Sequence, residues 1–341
     1  MDSVENKVTV IIPSRKIDFL LEKCVKEIRN LYSDIPIVLI LDEFEENNIY
    51  KNDTNILILK SENRNISSKR NLGVKHSKTE YIAFIDSDAY PSKGVEKAVD
   101  FLDKNQNYSA VTGLWYNPPE DTLEQNCLRL VRFSKLFTHK EWCILIDTNA
   151  VEQDCTMAAT SNLIIRKNVY EDVGGMNENQ YLAEDNDFSV KLEKKGYKIR
   201  FIPEMGIYHR ESTMLPYFKK IYCMSYYYSN MFIKGKSVKS LPQMISHYLP
   251  LLGIIIYIFL WILCCLMNIN TYFLLFLPLL IFFILISEAV CTSKKLERNK
   301  LKGFFMILFD FCIFIAVWVI GTILGTINFP TKDIRNFYRQ Y

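Results

Sequence analysis

Three long apolar runs close this sequence, and they constrain it more than any other feature. Tyr248–Met267 (YLPLLGIIIYIFLWILCCLM) and Thr271–Ser287 (TYFLLFLPLLIFFILIS) carry no charge, and Phe304–Ile327 (FFMILFDFCIFIAVWVIGTILGTI) carries one acid, Asp310. Crossing about 30 Å of hydrocarbon takes about 20 apolar residues in a helix, so the first and third runs are long enough and the second is near the lower limit. The rest of the chain is too small to bury so much apolar surface in a soluble interior. The expectation is a membrane region of about three helices over 248–330, followed by a basic tail at 331–341. Asp310 is an intramembrane acid that can pair within a bundle or face an interface.

The chain begins MDSVENKVTVIIPS, which goes directly into a strand-like run without a signal-peptide pattern. A cytoplasmic first domain is therefore expected, on an integral membrane protein. Lys234, Lys236 and Lys239 precede the first apolar run, and Lys294, Lys295, Arg298, Lys300 and Lys302 separate the second from the third. Both groups belong inside for three spans starting from the cytoplasm. Lys332, Arg335 and Arg339 would then face outward, so either the rule is weak here or one run does not span.

Lys+Arg number 41 against 38 Asp+Glu, a balance that gives no reason to expect a nucleic-acid partner. The nine cysteines form no CxxC pair and no Cys/His ligand spacing, which excludes structural zinc and disulfides from the reading.

Before Leu249 the pattern changes to short apolar runs alternating with amphipathic ones. KVTVIIPS, IPIVLILD, NILILK and EYIAFIDSD read as buried strands, and DFLLEKCVKEIRNLY and SSKRNLGVKHSK as helices, the second capped by Ser67 or Ser68. GVEKAVDFLDKN is a further helix, YSAVTGLWY a strand, and TLEQNCLRLVRFSKLF a longer helix with Arg129, Arg132 and Lys135 on or near its polar side. The alternation predicts an open, mainly parallel α/β sheet, whose ligands bind beyond the carboxyl ends of the strands. Asp42, Asp86 and Asp88 fall at such ends.

Asp86 and Asp88 flank Ser87 in a turn, where both carboxylates can address a hard divalent cation. A solvated acidic turn has the same look. Glu184, Asp185 and Asp187 open the helix EDNDFSVKLEKKGY; one of them can serve as a general base, although acids in a first turn also stabilise any helix. His209, beside Arg210 at the end of a later strand, is a third metal ligand or a structural histidine. Lys69, Arg70 and Asn71 precede the acidic turn, where basic groups can contact a diphosphate or only decorate a helix.

In this order, IIPSR, a strand ending at Asp42, SSKRNLGVKHSKTEYIAFIDSDAYP and AEDNDFSVKLEKKGYKIRFIPEMGIYHR, the first two-thirds of the chain resembles the family 2 glycosyltransferases of GT-A fold, a Rossmann-like mixed sheet with flanking helices. The resemblance implies that Asp86 and Asp88 bind Mn²⁺ or Mg²⁺ together with the donor diphosphate, with His209 joining that site. It places Asp42 at the nucleotide base, Pro13 and Arg15 in the first nucleotide-binding loop, Lys69 and Arg70 near the phosphates, and Asp185 as catalytic base with Glu184 beside it. It implies inversion at the anomeric carbon, from a UDP- or GDP-sugar donor. Three departures stand out. LDEFEEN replaces an Asp-Asp-Gly-Ser-like turn, PSRKID replaces a loop that often holds Tyr-Asn, and the QxxRW motif of processive synthases is absent, which favours transfer of a single sugar.

A catalytic domain over 1–212 then leads into 213–247, rich in aromatic, apolar and lysine residues as expected of interfacial amphipathic helices. That placement against membrane lipids favours a lipid or polyprenyl-phosphate-linked acceptor, as in polyprenyl- and dolichyl-phosphate glycosyltransferases, and it leaves room for oligomerisation. The alternatives are a membrane-tethered enzyme acting on a soluble glycan and a non-catalytic scaffold.

Overall fold

The computed structural model describes residues 4–44, 48–134, 136, 140–180, 182–233 and 241–327. They form two compact units, one drawn from the chain up to Pro119 and from Lys140–Arg210, the other from Glu120–His139 and Glu211–Ile334.

In chain order the elements begin with α1 (Val4–Lys7), β1 (Val8–Pro13), α2 (Phe19–Leu31), β2 (Ile37–Leu41), β3 (Ile56–Lys60), α3 (Ile66–His76), β4 (Tyr81–Ile85) and β5 (Ala89–Lys93). There follow α4 (Val95–Lys104), β6 (Tyr108–Thr112), β7 (Trp115–Tyr116), α5 (Leu123–Arg132), α6 (Lys140–Cys143), β8 (Gln153–Cys155), β9 (Asn162–Arg166) and α7 (Lys167–Asp172). The chain continues through α8 (Glu184–Lys194), β10 (Lys198–Phe201), β11 (Gly206–His209), α9 (Met214–Ile233), α10 (Leu241–Leu266), α11 (Phe276–Ser293) and α12 (Lys300–Thr326).

The first unit holds a sheet in the order β3-β2-β1-β4-β9-β6-β10-β8. Strands β3, β2, β1 and β4 run parallel, as the apolar runs predict, and β1, β2 and β4 are buried along their whole length. Continuous burial of this kind is the condition of strands covered on both faces. Strand β9 enters antiparallel between β4 and β6, which makes the sheet mixed.

Helix α3 lies close on the sheet because Gly73 lets it: a Cβ there would sit 2.6 Å from Ile11 Cγ2 and 2.9 Å from Ile40 Cδ1. Its cap is Asn65, whose side chain accepts from the Ser67 and Ser68 amides at 2.7 and 3.3 Å, in place of the serines expected from sequence. A second sheet, β5-β11-β7, pairs the segment just after Asp88 with the strand that ends at His209.

The second unit gathers α5 and α9 to α12. Helix α5 opens with a capping box between Thr122 and Gln125 and ends at Arg132, shorter than the sequence suggested. Arg129 is buried rather than on a polar face; Lys135 lies outside the described residues. The 213–247 stretch gives α9 and the first turns of α10, with Lys234, Lys236 and Lys239 outside the described residues, as are Lys332, Arg335 and Arg339 of the tail. Three helices, His247–Leu266, Phe276–Ser293 and Lys300–Thr326, are long and apolar enough to cross a membrane. Asp310 is buried, and neither of its carboxylate oxygens has a hydrogen-bond partner among the described residues.

Candidate active site

Strand β4 delivers Asp86 to its carboxyl end, and a tight turn, closed by the Ala89 amide on the Asp86 carbonyl at 3.0 Å, carries the chain through Asp88 into β5. Antiparallel pairing sets His209 opposite Ala89, and the Arg210 amide donates to the Asp88 carbonyl at 3.2 Å. The backbone therefore brings together residues more than a hundred positions apart. His209 Nε2 lies 3.7 Å from Asp86 Oδ2 and 3.9 Å from Asp88 Oδ1, and one ligand atom from each of the three falls within 4.8 Å of the others.

Parallel pairing of β7 with β11 places Trp115 on the same face as His209. The two rings stack with centroids 5.1 Å apart and planes 10° from parallel, and Trp142 meets Trp115 edge-on at 6.4 Å. An imidazole packed against an indole has few ways to turn, so Nε2 stays directed at the carboxylates.

Helix α3 contributes the buried cations. Arg70 is 1% exposed; its Nη2 donates to Asp86 Oδ1 at 2.7 Å and its Nη1 to Glu184 Oε1 at 3.0 Å. Burial works against the guanidinium charge, but the two carboxylates outweigh it and carry its pKa above the ordinary value. Burial likewise pushes the Asp86 carboxyl up, and the Arg70 charge, helped by His209, overcomes this and holds it well below the usual carboxylate range.

From the neighbouring position, Lys69 Nζ donates to the Ser14 carbonyl at 2.6 Å and lies 2.7 Å from Asp42 Oδ1, tying the end of β1 to the end of β2. Burial draws the Lys69 ammonium below its ordinary pKa, and the Asp42 carboxylate offsets part of that. The loop after β1 is fixed from behind by the Asp42 and Glu43 amides, both donating to the Arg15 carbonyl at 3.0 Å.

The acidic start of α8 is held in an unusual backbone. Ala183, immediately before Glu184, adopts the left-handed region at φ 54°, ψ 32°. A non-glycine residue persists there only where its surroundings over-determine it. Gln180 supplies part of that constraint, donating to the Leu182 and Ala183 carbonyls at 2.8 and 3.0 Å, while Asn65 donates to the Gln180 carbonyl at 2.7 Å. Within α8, Ser189 Oγ donates to the Asp185 carbonyl at 2.6 Å.

Residues 81–287, more than half of the chain, match the family described as glycosyl transferase family group 2. The chain belongs to that family. The uncharacterized glycosyltransferase EpsJ of Bacillus subtilis is 26% identical to this chain over 233 residues, 62% of the chain and 64% of EpsJ. The chain thus spans slightly less than two-thirds of that relative. Glycosyltransferase GlyA of Streptococcus pneumoniae is 33% identical over 97 residues, 25% of the chain and 13% of GlyA. Among solved structures, the mannosyltransferase PcManGT from Pyrobaculum calidifontis, in complex with GDP-Man and Mn²⁺, superposes with a TM-score of 0.54 at 13% identity, covering 95% of this chain and 88% of that one. That likeness shows the fold, GT-A.

In this chain, Asp86, Asp88 and His209 come together as one cluster, and Arg70 joins that cluster to Glu184. Asp42 and Lys69 form a separate buried pair. The Arg70 guanidinium is occupied by protein carboxylates, so its position organises the site from within. Sequence reasoning passed over Trp115, Asn65 and Gln180. The first two carried a signal: Trp115 closes the strand-like YSAVTGLWY, and Asn65 stands at the capping position before the RNLG helix. Gln180 lies in a loop without pattern.

Proposed function

We propose that the transferase moves a single sugar from a UDP- or GDP-sugar to a lipid-linked acceptor, with inversion at the anomeric carbon. The observation that carries this reading is the buried Arg70 bridge, because it fastens the turn that would face the donor diphosphate to the acidic helix start that would face the acceptor.

The residues fit a divalent cation. Asp86, Asp88 and His209 each offer an atom in mutual reach; the two carboxylates suit Mg²⁺ or Mn²⁺, and the imidazole favours Mn²⁺. PcManGT, which shares the fold, carries Mn²⁺ with GDP-Man. Such a cation, when bound, would neutralise the diphosphate as it leaves.

The chain's own groups divide the remaining work. Asp185 takes the proton of an acceptor hydroxyl, and Glu184, anchored by Arg70, fixes the helix start that aims it. Asp42, held by Lys69, accepts from the nucleotide base, while Pro13 and Arg15 form the loop around it. A phosphate acceptor arrives already ionised and needs no base, so the demand on Asp185 reports which acceptor is used.

The lipid assignment rests on chain continuity: residues 210–213 alone separate β11 from α9, and the three apolar helices follow. The basic residues before α10 and after α11 support a cytoplasmic catalytic unit.

The test is turnover of UDP- and GDP-sugars by the detergent-purified chain with Mn²⁺ or Mg²⁺, with and without membrane lipid. Metal-dependent release of one nucleotide, stimulated by lipid and lost in Asp88→Asn, with product extracting into organic solvent, is the expected result. A product that stays in water transfers the assignment to the soluble glycan. No turnover with any donor from folded protein removes the enzymatic reading.

A further inference from the structure

Length and apolarity admit three membrane crossings, but contacts inside the second unit give α12 another course. We propose that α10 and α11 cross the bilayer as a hairpin, and that α12 lies in the membrane plane on the side where the hairpin enters and leaves, with α9 alongside it and a one-sided apolar stripe turned to lipid.

Past its first turn, where Lys300 and Lys302 are also exposed, the surface of α12 is divided. Leu301, Phe305, Phe309, Cys312, Ala316, Ile320, Ile323 and Ile327 are exposed, at spacings of three and four residues that keep them on one face, and all are apolar. The opposite face, including Gly303, Ile307, Asp310, Phe311, Phe314, Gly321 and Gly325, is buried against protein. Helix α10 contrasts with it: of its membrane-length window only 6% is buried, against 39% for α12. A helix with one face on protein and one apolar face outward suits the boundary between headgroups and acyl chains.

The contacts at its two ends decide between crossing and lying flat. The first half of α12 sits at the exit of α11: Leu285 and Ala289 of α11 share a core with Ile307, Phe311 and Phe314, and with Cys127, Leu128 and Val131 of α5. The second half sits at the entrance of α10. Trp318 Nε1 donates to the His247 carbonyl at 3.1 Å, Thr322 Oγ1 is 3.4 Å from His247 Nε2, and the Tyr248 hydroxyl is 3.3 Å from Thr326 Oγ1. His247 opens the apolar stretch of α10. If α10 and α11 both cross, the start of the first and the end of the second lie on one side of the bilayer. A helix whose first half touches one and whose second half touches the other begins and ends on that side.

Helix α9 gives an independent argument. It advances beside α12 in the same direction, with Tyr217 packed in the core of Phe311, Ser225 against Gly321, and Tyr226 and Ser229 against Gly325. The two glycines leave the room this closeness needs, since a Cβ on Gly321 would lie 2.6 Å from the Tyr222 carbonyl oxygen. A crossing α12 would draw α9, with Lys219 and Lys220, into hydrocarbon, where lysine is costly. Lying flat keeps both lysines among headgroups.

The charge pattern agrees. Two crossings return the chain to its starting side, so the basic residues before α10, between α11 and α12, and after α12 in the sequence obey the positive-inside rule together.

Sidedness of the two termini tests this on the full, unsubstituted chain. An epitope tag at each end is probed by antibody in right-side-out and inverted vesicles. Both tags reachable in the same preparation is the expected result, and tags reachable in opposite preparations overturn the proposal. Nitroxides placed singly at positions 305, 309, 316 and 320, in a chain whose exposed Cys265, Cys291 and Cys312 are changed to Ser, then report depth. One shallow depth, about 5–10 Å below the headgroups, is expected at all four. Depth that passes through the bilayer midplane along the series overturns the in-plane course even where the tags agree.

Discussion

Removing Arg70 takes from Asp86 and Glu184 the buried cation that joins them. Breaking one partner of a buried ion pair costs about 3–5 kcal/mol, so Arg70→Met is expected to lower the melting temperature clearly and to drop turnover by at least about 100-fold. Arg70→Lys keeps the charge but loses the two-pronged fork, and its turnover should fall between the two. Wild-type turnover in Arg70→Met would remove the bridge from the account. Trp115 acts through His209: Trp115→Leu should weaken Mn²⁺ binding by about 10-fold, while Trp115→Phe keeps a ring and most of the affinity, as read by titration of Mn²⁺ followed by electron paramagnetic resonance. Asp103 carries a pH effect away from the site. Burial pushes its carboxyl up, but hydrogen bonds from Lys7 at 2.8 Å and Tyr81 at 2.6 Å bring it below its ordinary value. Its folded pKa is thus lower than its unfolded one, so it contributes stability above about pH 4 that is lost as pH falls through the folded value. With a side chain 32% exposed, the contribution stays under about 1 kcal/mol. Asp103→Asn should melt lower than the parent at pH 7 and converge with it in acid. The acids of the site were legible in sequence because strand ends and a helix start announce them. Their wiring was not, since Arg70 reads equally as a surface cation until α3 is seen packed on β1 and β2.

Elements whose sequence pattern is local were readable, and those defined by distant pairing were not. Strands β1, β2 and β4 announce themselves as unbroken apolar runs, and α2 by its buried stripe of Leu21, Cys24, Val25 and Ile28. Strand β5, AYPSK, has no such run; it is a strand because β11 pairs with it from far along the chain, and that pairing puts His209 beside Asp88. The direction of β9 is equally invisible locally, since antiparallel and parallel central strands have the same apolar composition. In the second unit, α12 is legible as a helix long and apolar enough to cross a membrane, yet its partners depend on two glycines. Gly325→Leu sets a branched side chain against the Tyr226 carbonyl and Ser229. It should separate α9 from α12 and lower the thermal stability of the detergent-solubilised chain by about 1–3 kcal/mol, the usual cost of overpacking. Gly253→Leu, at an open position on α10, should leave stability unchanged. Equal melting of the two variants would argue that the α9 and α12 contact carries little of the fold.

Across the whole molecule, the first unit holds every group assigned to the donor and the base, and the second holds the three helices long and apolar enough to cross a membrane. The apolar helices were legible as a change of composition near Leu249, whereas the membership of α5 in the second unit was not, because its sequence belongs between strands of the first. A chain that works on lipid should lose turnover when delipidated and recover it on return of membrane lipid, with its affinity for the nucleotide unchanged. The measurement that bears most directly on the account is a titration of Mn²⁺ into the purified chain, with and without a nucleoside diphosphate, in parent and in His209→Ala. A single site, tightened by the nucleoside diphosphate and weakened in His209→Ala, is the result expected of a cluster built from Asp86, Asp88 and His209. Binding that is absent in the parent, or present and indifferent to both the nucleotide and His209, would contradict it.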